Sequence, residues 1–322
     1  MVRFSNIEHV GEGQFGSVSR AYDSKFEQVV AMKRITIPVL SEFPKMLLRE
    51  IHTLKAVQHM NVIDVFDVFV DNNDLIIVTE YVPHTLAELL TPFSAPLSLG
   101  MVKSIAFQLT CALVMCHMTG VMHRDVKPGN VLITKDGTVK LADFGMSRVH
   151  PDWHLATDDE RPLSNVGATR WYRAPEVLWG SIEYDFKVDT WGLGVVIAEM
   201  LCGSPLFSGD TDIDQLHRVI EVLGTPSEVN DLPDYDKITF SNEQSTLLSD
   251  FLPPYTPPDL LDLLQNLICY PSQRMSAFDA LNHPFFSNTI QFERVDHRIH
   301  ESSAKTEPDH SQIMARIAKM AL

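Results

Sequence analysis

The chain has 322 residues, of which 45% are hydrophobic and 21% charged, and it carries a formal net charge of −16. That apolar share is ordinary for a globular protein, and the acidic excess argues against a nucleic-acid-binding surface, which needs clustered Lys and Arg. Four cysteines (Cys111, Cys116, Cys202, Cys269) form no CxxC pair and no metal-ligand spacing, so a reduced, intracellular setting in cytoplasm or nucleus is expected.

The length predicts one large bilobal unit or two domains. The first ten residues lack an apolar signal-peptide core. The apolar run at Leu193–Leu201 is broken by Gly194 and Glu199, and no lipidation signal is visible, so no membrane insertion is expected.

Residues 4 to about 37 alternate as strands do, with the glycine-rich turn GEGQFGSV at Gly11–Val18. Glycines at this spacing let backbone N–H groups approach phosphate oxygens without an intervening Cβ. A dinucleotide-binding unit would continue directly into a helix. Here strand-like runs follow at Val18–Tyr22 and Val29–Ile35, which predicts a hairpin.

Lys33 sits inside an otherwise buried strand pattern and needs an anionic partner, for which Glu50 on a helix-like segment from Pro44 to Val57 is the candidate. Taken alone, an exposed Lys on a strand edge and a solvated Glu would fit these residues as well. Strands are predicted at Val62–Val70 and Leu75–Glu80. Helical periods dominate from Leu86, chiefly at Leu99–Thr119, and a boundary between a β-rich lobe and a helical lobe is placed near residues 82–85.

His123–Asn130 reads HRDVKPGN, offering a carboxylate (Asp125), an ammonium (Lys127) and an amide (Asn130) on a turn that Pro128 and Gly129 keep from being helical. A hairpin (Val131–Ile133, Val139–Ala142) leads to a second acidic turn, Asp143-Phe144-Gly145. One carboxylate can orient a hydroxyl and accept its proton, while the other, helped by the amide, can hold Mg²⁺ against a triphosphate. A polar segment follows at 146–168, then Trp171–Glu176. Helices are predicted from Asp189 to about Leu201, at Ile213–Leu223 and at Pro258–Leu267. After Phe286 the composition turns polar.

GEGQFGSV, VAMK, LLREI, HRDVKPGN, DFG and APE occur in the order of the eukaryotic protein-kinase signatures, and the chain resembles that family over residues 4–286. The resemblance implies an α+β, bilobal fold with a small β-rich N-lobe (4–82) and a larger helical C-lobe (85–286), followed by a polar, flexible tail (287–322). WYRAPE, GSPLFSGDTDIDQL and LGTP resemble the cyclin-dependent-kinase branch. DLPDYDKITF and FPKMLLREI look most like its cell-cycle-related group (cyclin-dependent kinase 20 type), which is associated with cilia.

The resemblance implies ATP and Mg²⁺ as cofactors and protein substrates with Ser/Thr-Pro sites. It makes Asp125 the proton acceptor, Lys127 the neutraliser of charge on the transferred phosphoryl, and Asn130 and Asp143 the metal ligands. Lys33, held by Glu50, would contact the α/β-phosphates beneath Gly11, Gly13 and Gly16. Backbone groups at Glu80 and Val82 would read adenine, stacked among Val10, Val18, Ala31 and Leu132. His123 would be structural, Asp189 would hold the backbone beneath the catalytic turn, and Glu176 would pair with Arg274. A cyclin-like activator would meet the helix carrying Glu50, although FPKMLLRE departs from the usual wording there.

Gln14 and Phe15 stand where cell-cycle members carry a Thr-Tyr pair, so inhibitory phosphorylation is not expected there. Ser164, seven residues before Trp171, stands where the activating Thr belongs. A phosphate on it, added by an upstream kinase, would have Arg49, Arg124 and Arg148 to meet it. Thr79 would guard the back of the adenine pocket. The competing reading is a pseudokinase or scaffold, which should lack a motif Lys, Asp or Asn; none is missing. A mitogen-activated-type kinase would show Thr-x-Tyr in the loop, and no tyrosine precedes Tyr172 there.

Overall fold

Runs of β-branched and aromatic residues from Phe4 to Glu80 form a five-stranded antiparallel sheet, the shape such residues favour because they pack on a pleated surface. In the computed structural model, residues 3–13, 16–36, 57–72, 74–90, 96–149, 170–226, 234 and 246–294 are described. The strands are β1 (Phe4–Gly13), β2 (Gly16–Asp23), β3 (Gln28–Thr36), β4 (Val65–Asp71) and β5 (Asp74–Glu80), in the spatial order β1-β2-β3-β5-β4.

Period-two alternation shows directly on β5. Ile76 and Val78 pack with Ala21, Val30 and Met32 on one face, and Leu75 and Ile77 pack with Ile35 on the other. The predicted hairpin is present: Gly13 lies opposite Gly16, and Gly11 opposite Val18. Gly16 has φ +148°, and a Cβ there would stand 1.9 Å from the Arg34 carbonyl oxygen, so only glycine permits this approach of β2 to β3. Opposite the hairpin end, the Arg3 guanidinium joins Asp23 (2.8 Å) and Asp67 (2.7 Å), pinning strands that are distant in sequence.

The chain leaves the sheet after Glu80 and enters the helical lobe at β6 (His84–Thr85), which pairs with β8 (Val131–Ile133). β7 (Val121–Met122) precedes the catalytic turn, β9 (Val139–Leu141) pairs with β8, and β10 (Arg148–Val149) pairs with β7. The described helices are α1 (Leu86–Leu89), α2 (Leu99–Met118), α3 (Pro175–Leu178), α4 (Lys187–Cys202), α5 (Asp212–Leu223), α6 (Pro258–Leu267), α7 (Ala277–Leu281) and α8 (Pro284–Ser287).

Side-chain caps mark several starts: Ser98 accepts from the Met101 N–H, Thr211 from Asp214, and Thr85 and Glu88 form a reciprocal capping box. α5 and α6 bury one apolar stripe each, as their periodicity predicts.

α2 and α4 are different in kind. Gly100 to Cys116 are buried without a break, and so are Val188 to Leu201. They form the centre of the lobe, buried on every side. α2, longer than the Leu193–Leu201 run, is also long and apolar enough to cross a bilayer, but its apolar length is enclosed by the helical lobe.

One expectation is corrected. The segment after Ser287, assigned to a flexible tail, is packed as far as residue 294. The buried Lys103 ammonium on α2 donates to the Asn288 side chain (2.9 Å) and the Ile290 carbonyl (2.8 Å) and lies 4.6 Å from the Phe292 ring centre. Glu293 accepts from Ser98 at the start of α2, and Phe107 meets both Phe286 and Phe292 edge-on. A lysine buried on α2 requires these oxygens, so the segment is part of the folded lobe. Residues 295–322 lie outside the described residues.

Candidate active site

The catalytic turn rests on α4. Asp189, in the first turn of that helix, is fully buried; its carboxylate accepts from the backbone N–H of His123 (2.8 Å), the backbone N–H of Arg124 (2.6 Å) and Nε2 of His117 (2.9 Å). Burial opposes its ionisation, but the His117 hydrogen bond and the neighbouring donors prevail and hold the carboxyl below its ordinary range. Asp189 therefore has the backbone-holding place expected of it. His117 carries no motif and could not be singled out from the sequence.

Gly192, one turn further along, lets α4 approach: a Cβ there would lie 2.9 Å from the Val126 Cβ and 3.0 Å from its carbonyl oxygen. The same turn holds Arg124 at φ 67°, a left-handed conformation that costs a non-glycine residue about 1–3 kcal/mol and persists only where the surroundings impose it.

On this base, three predicted residues meet. Lys127 Nζ lies 2.6 Å from Asp125 Oδ2, and the Asn130 amide N–H₂ donates to both Asp125 Oδ2 and the Asp125 carbonyl, each at 2.8 Å. Asp125 and Asn130 are buried, so their geometry is fixed before any ligand arrives.

The two acidic turns are stapled through Ala142. Its N–H donates to the Asn130 carbonyl (2.9 Å), and its carbonyl accepts from His123 Nε2 (3.0 Å). His123 Nδ1 accepts from the Asp125 N–H (3.3 Å), and the ring lies edge-on against Phe144. Both imidazole nitrogens are thus occupied, which leaves His123 a bridge between the turns and not a base.

Asp143 follows with φ 62° and ψ 73°, again left-handed, and its Oδ1 meets Lys33 Nζ at 2.8 Å. Burial works against this carboxylate, but the Lys33 ammonium outweighs it and keeps the carboxyl below its usual range. Lys33 lies on β3, so this contact joins the two lobes. Glu50, the partner first assigned to Lys33, lies outside the described residues.

The residues expected to face a nucleotide are placed by strand register. Val18 is opposite Lys33, Ala31 opposite Thr79, Val30 opposite Glu80, and Leu132 opposite Thr85, beside the connector that carries Val82. Val10 is about half exposed on β1 (52%), as a residue facing an open cleft would be. Thr79 donates to the Glu80 carbonyl (3.2 Å).

An oxygen-only cation fits this arrangement. The Asn130 N–H₂ is engaged by Asp125, which leaves its amide oxygen, and Asp143 supplies an ionised carboxylate. Among the described residues no cluster of three or more His, Cys, Asp or Glu could hold a metal unaided. Two protein oxygens completed by phosphate and water are what Mg²⁺ commonly accepts.

Of the arginines expected to meet a phosphate, Arg124 donates through Nε to the Met146 carbonyl (2.5 Å) and through Nη1 to Tyr184 Oη (2.8 Å). Arg148 forms no ion pair among the described residues, and its charge reaches Arg124. Gln14, Phe15, Arg49 and Ser164 lie outside the described residues.

From Arg170 on, the Trp171 Nε1–H donates to the Gly209 carbonyl (3.1 Å), Arg170 pairs with Asp212 (3.0 Å), and Tyr172 Oη donates to buried Glu199 (2.7 Å). Glu176 and Arg274 form the expected buried bidentate pair at 2.7 and 3.0 Å, with the guanidinium over Trp191.

An acidic turn pair joined to a strand lysine beneath a glycine hairpin is the arrangement of a phosphotransferase, and residues 4–286 match the protein kinase domain family; the chain belongs to that family. Within it, this is a cyclin-dependent-kinase-like serine/threonine kinase. The chain is 39% identical over 294 residues to cyclin-dependent kinase 20 of Danio rerio, covering 89% of this chain and 84% of that protein. It is 37% identical to the Homo sapiens protein of that name over the same share of this chain and 83% of the relative. Cell division control protein 2 homolog 3 of Trypanosoma brucei brucei is 36% identical over 298 residues, covering 89% of this chain and 93% of that protein. Membership of the family implies ATP as phosphoryl donor and protein as acceptor.

Proposed function

We propose that this protein is a proline-directed kinase in which Asp125 accepts the proton of a substrate Ser or Thr hydroxyl. The hydroxyl oxygen forms a bond to the γ-phosphorus as the bond to the β–γ bridging oxygen breaks, and ADP carries that electron pair away. Lys127 faces the charge that develops on the transferred group, and Lys33 orients the α/β-phosphates. Asn130 and Asp143 would hold Mg²⁺, which neutralises triphosphate charge when bound. Positioning and fixed charge supply the rate enhancement. The observation that carries this reading is the rigid set Asp125–Lys127–Asn130, joined through Ala142 to Asp143 and Lys33.

Phospho-Ser164 would order the activation loop, with Arg49, Arg124 and Arg148 as its cationic partners, and a cyclin-like protein would bind at the helix bearing Glu50. The relatives' names, cyclin-dependent kinase 20 and cell division control protein 2 homolog 3, support a role in the cell cycle. The group resemblance supports a role in cilium assembly or length control, acting from cytoplasm or nucleus.

The test is Mg·ATP-dependent phosphorylation of a Ser-Pro peptide beside its Ser-Ala twin by wild type, Asp143→Asn and Ser164→Ala. Transfer to the Ser-Pro peptide alone, abolished by Asp143→Asn, is expected. Equal transfer to both peptides would overturn the proline preference. Full activity of Ser164→Ala would overturn the switch. No transfer by protein confirmed to carry phospho-Ser164, even with a cyclin-like partner added, would favour a scaffold.

A further inference from the structure

Glu80 enters the reading above only through its backbone, yet its side chain accepts twice in the connection between the lobes. Its Oε1 accepts from Lys140 Nζ at 2.5 Å and from the Asp64 N–H at 2.9 Å, while its own N–H donates to the Asp64 carbonyl at 3.0 Å. Lys140 is buried in the middle of β9, three residues before Asp143. Its second acidic neighbour, Asp64, is mostly exposed and lies 3.8 Å away, so Glu80 is the partner that compensates its charge.

The backbone repeats the connection. The Leu141 N–H donates to the Asn61 carbonyl (2.8 Å), the Ile63 N–H donates to the Leu141 carbonyl (3.0 Å), and Val62 bridges Leu141. Buried Asn61 also donates to the Val139 carbonyl (2.8 Å). The residues 61–64 thus lie as a short connector between β9 and the end of β5, and the Lys140–Glu80 pair closes it into a ring.

We infer that Lys140 is a positioning residue for the nucleotide, clasping the Glu80 side chain so that the adenine-reading backbone at Glu80–Val82 keeps a fixed place relative to Asp143. The two ends of ATP are read by different parts of the chain. Adenine would meet the connector between the lobes, and the phosphates would meet Lys33 and the cation at Asp143. Only a link between those parts fixes the distance between them. Lys140 touches neither ATP nor the substrate hydroxyl; it acts through Glu80. This inference rests on the proposal that Glu80–Val82 reads adenine.

The experiment uses the full chain and measures nucleotide binding by titration with ATP and, separately, the KM for ATP, the KM for peptide and kcat. Lys140→Met keeps the apolar stem and removes the charge, Glu80→Gln removes the other partner, Lys140→Arg restores a cation, and the double variant closes a cycle. Lys140→Met is expected to weaken ATP binding and raise its KM about tenfold, a coupling within the range for contacting residues, with the peptide KM unchanged. Lys140→Arg should recover most of that loss, and the double variant should be no worse than Lys140→Met.

A merely structural lysine would lower thermal stability and kcat without moving the ATP KM selectively, and that outcome overturns the inference. ATP binding within twofold of wild type in Lys140→Met overturns it too, as do strictly additive effects in the cycle. Failure of the wild type itself to bind ATP would instead remove the adenine reading on which the inference stands.

Discussion

The two acidic turns of the site are built on opposite plans. Asp125 stands on a floor made within one lobe: Asp189 holds the backbone of His123 and Arg124 just before it, Gly192 admits α4 beneath the turn, and Lys127 and Asn130 fix its carboxylate. Asp143 sits in a strained conformation whose principal described side-chain contact is Lys33, from the other lobe. The first turn is preorganised by folding alone. The second is complete only while the lobes keep their relative position. The proposed proton acceptor is thus held within one lobe, whereas the proposed metal ligand Asp143 is held in part from the other.

The largest expected effect breaks either turn at its carboxylate. Asp125→Asn and Asp143→Asn should each lower kcat about a thousandfold or more, measured by peptide phosphorylation, with melting temperature little changed. Removing one partner of the buried Glu176–Arg274 pair should act in the opposite way. Arg274→Met leaves a buried carboxylate alone and should cost about 3–5 kcal/mol in a denaturant titration, destabilising the whole helical lobe.

Gly192→Val tests the floor of the first turn. The added atoms would press on Val126, costing about 1–3 kcal/mol and lowering kcat more than it changes the KM for ATP. Nucleotide affinity falling as far as kcat would show that the turns are not independent. Deleting residues 288–322 should lower stability by about 1–3 kcal/mol more than deleting 295–322, because only the longer deletion strands the Lys103 ammonium.

The smallest effect is a pH dependence. The folded pKa of Asp143 is lowered, so its contribution to stability is complete above the unfolded value, about 3.9, and disappears as pH falls through the folded value. Lys33→Met should flatten that acid limb in unfolding measurements made across it.

Much of this was legible because the chemistry is local. HRDVKPGN places three polar groups within hydrogen-bond reach on one turn, and the glycine spacing followed by alternating residues distinguishes a hairpin from a dinucleotide-binding unit. Helices with one apolar stripe, such as α6, match their periodicity residue for residue. What was not legible depends on partners distant in the chain. His117 looks like any helix residue until Asp189 folds beneath the catalytic turn. Lys140 looks like an exposed strand lysine until β9 meets Glu80. The polar letters of 288–294 suggest a loose tail because nothing local shows that Lys103 is buried and needs their oxygens. The Arg124–Tyr184 contact joins residues sixty apart in sequence and has no local signal.

The sequence by itself determined the fold class, the order of the elements and the identity of the groups that would carry phosphoryl transfer. The first two follow from side-chain period and turn chemistry, and the last from the resemblance of six ordered motifs to the protein-kinase signatures. Only the tertiary structure decided how those groups are held: Asp189 beneath the catalytic turn, Ala142 between the two turns, Lys33 against Asp143, and Lys140 against Glu80. Each of these contacts places a charge or a backbone donor in a buried or partly buried site. The compensation such a group requires comes from wherever the fold delivers a partner, which spacing along the chain does not encode.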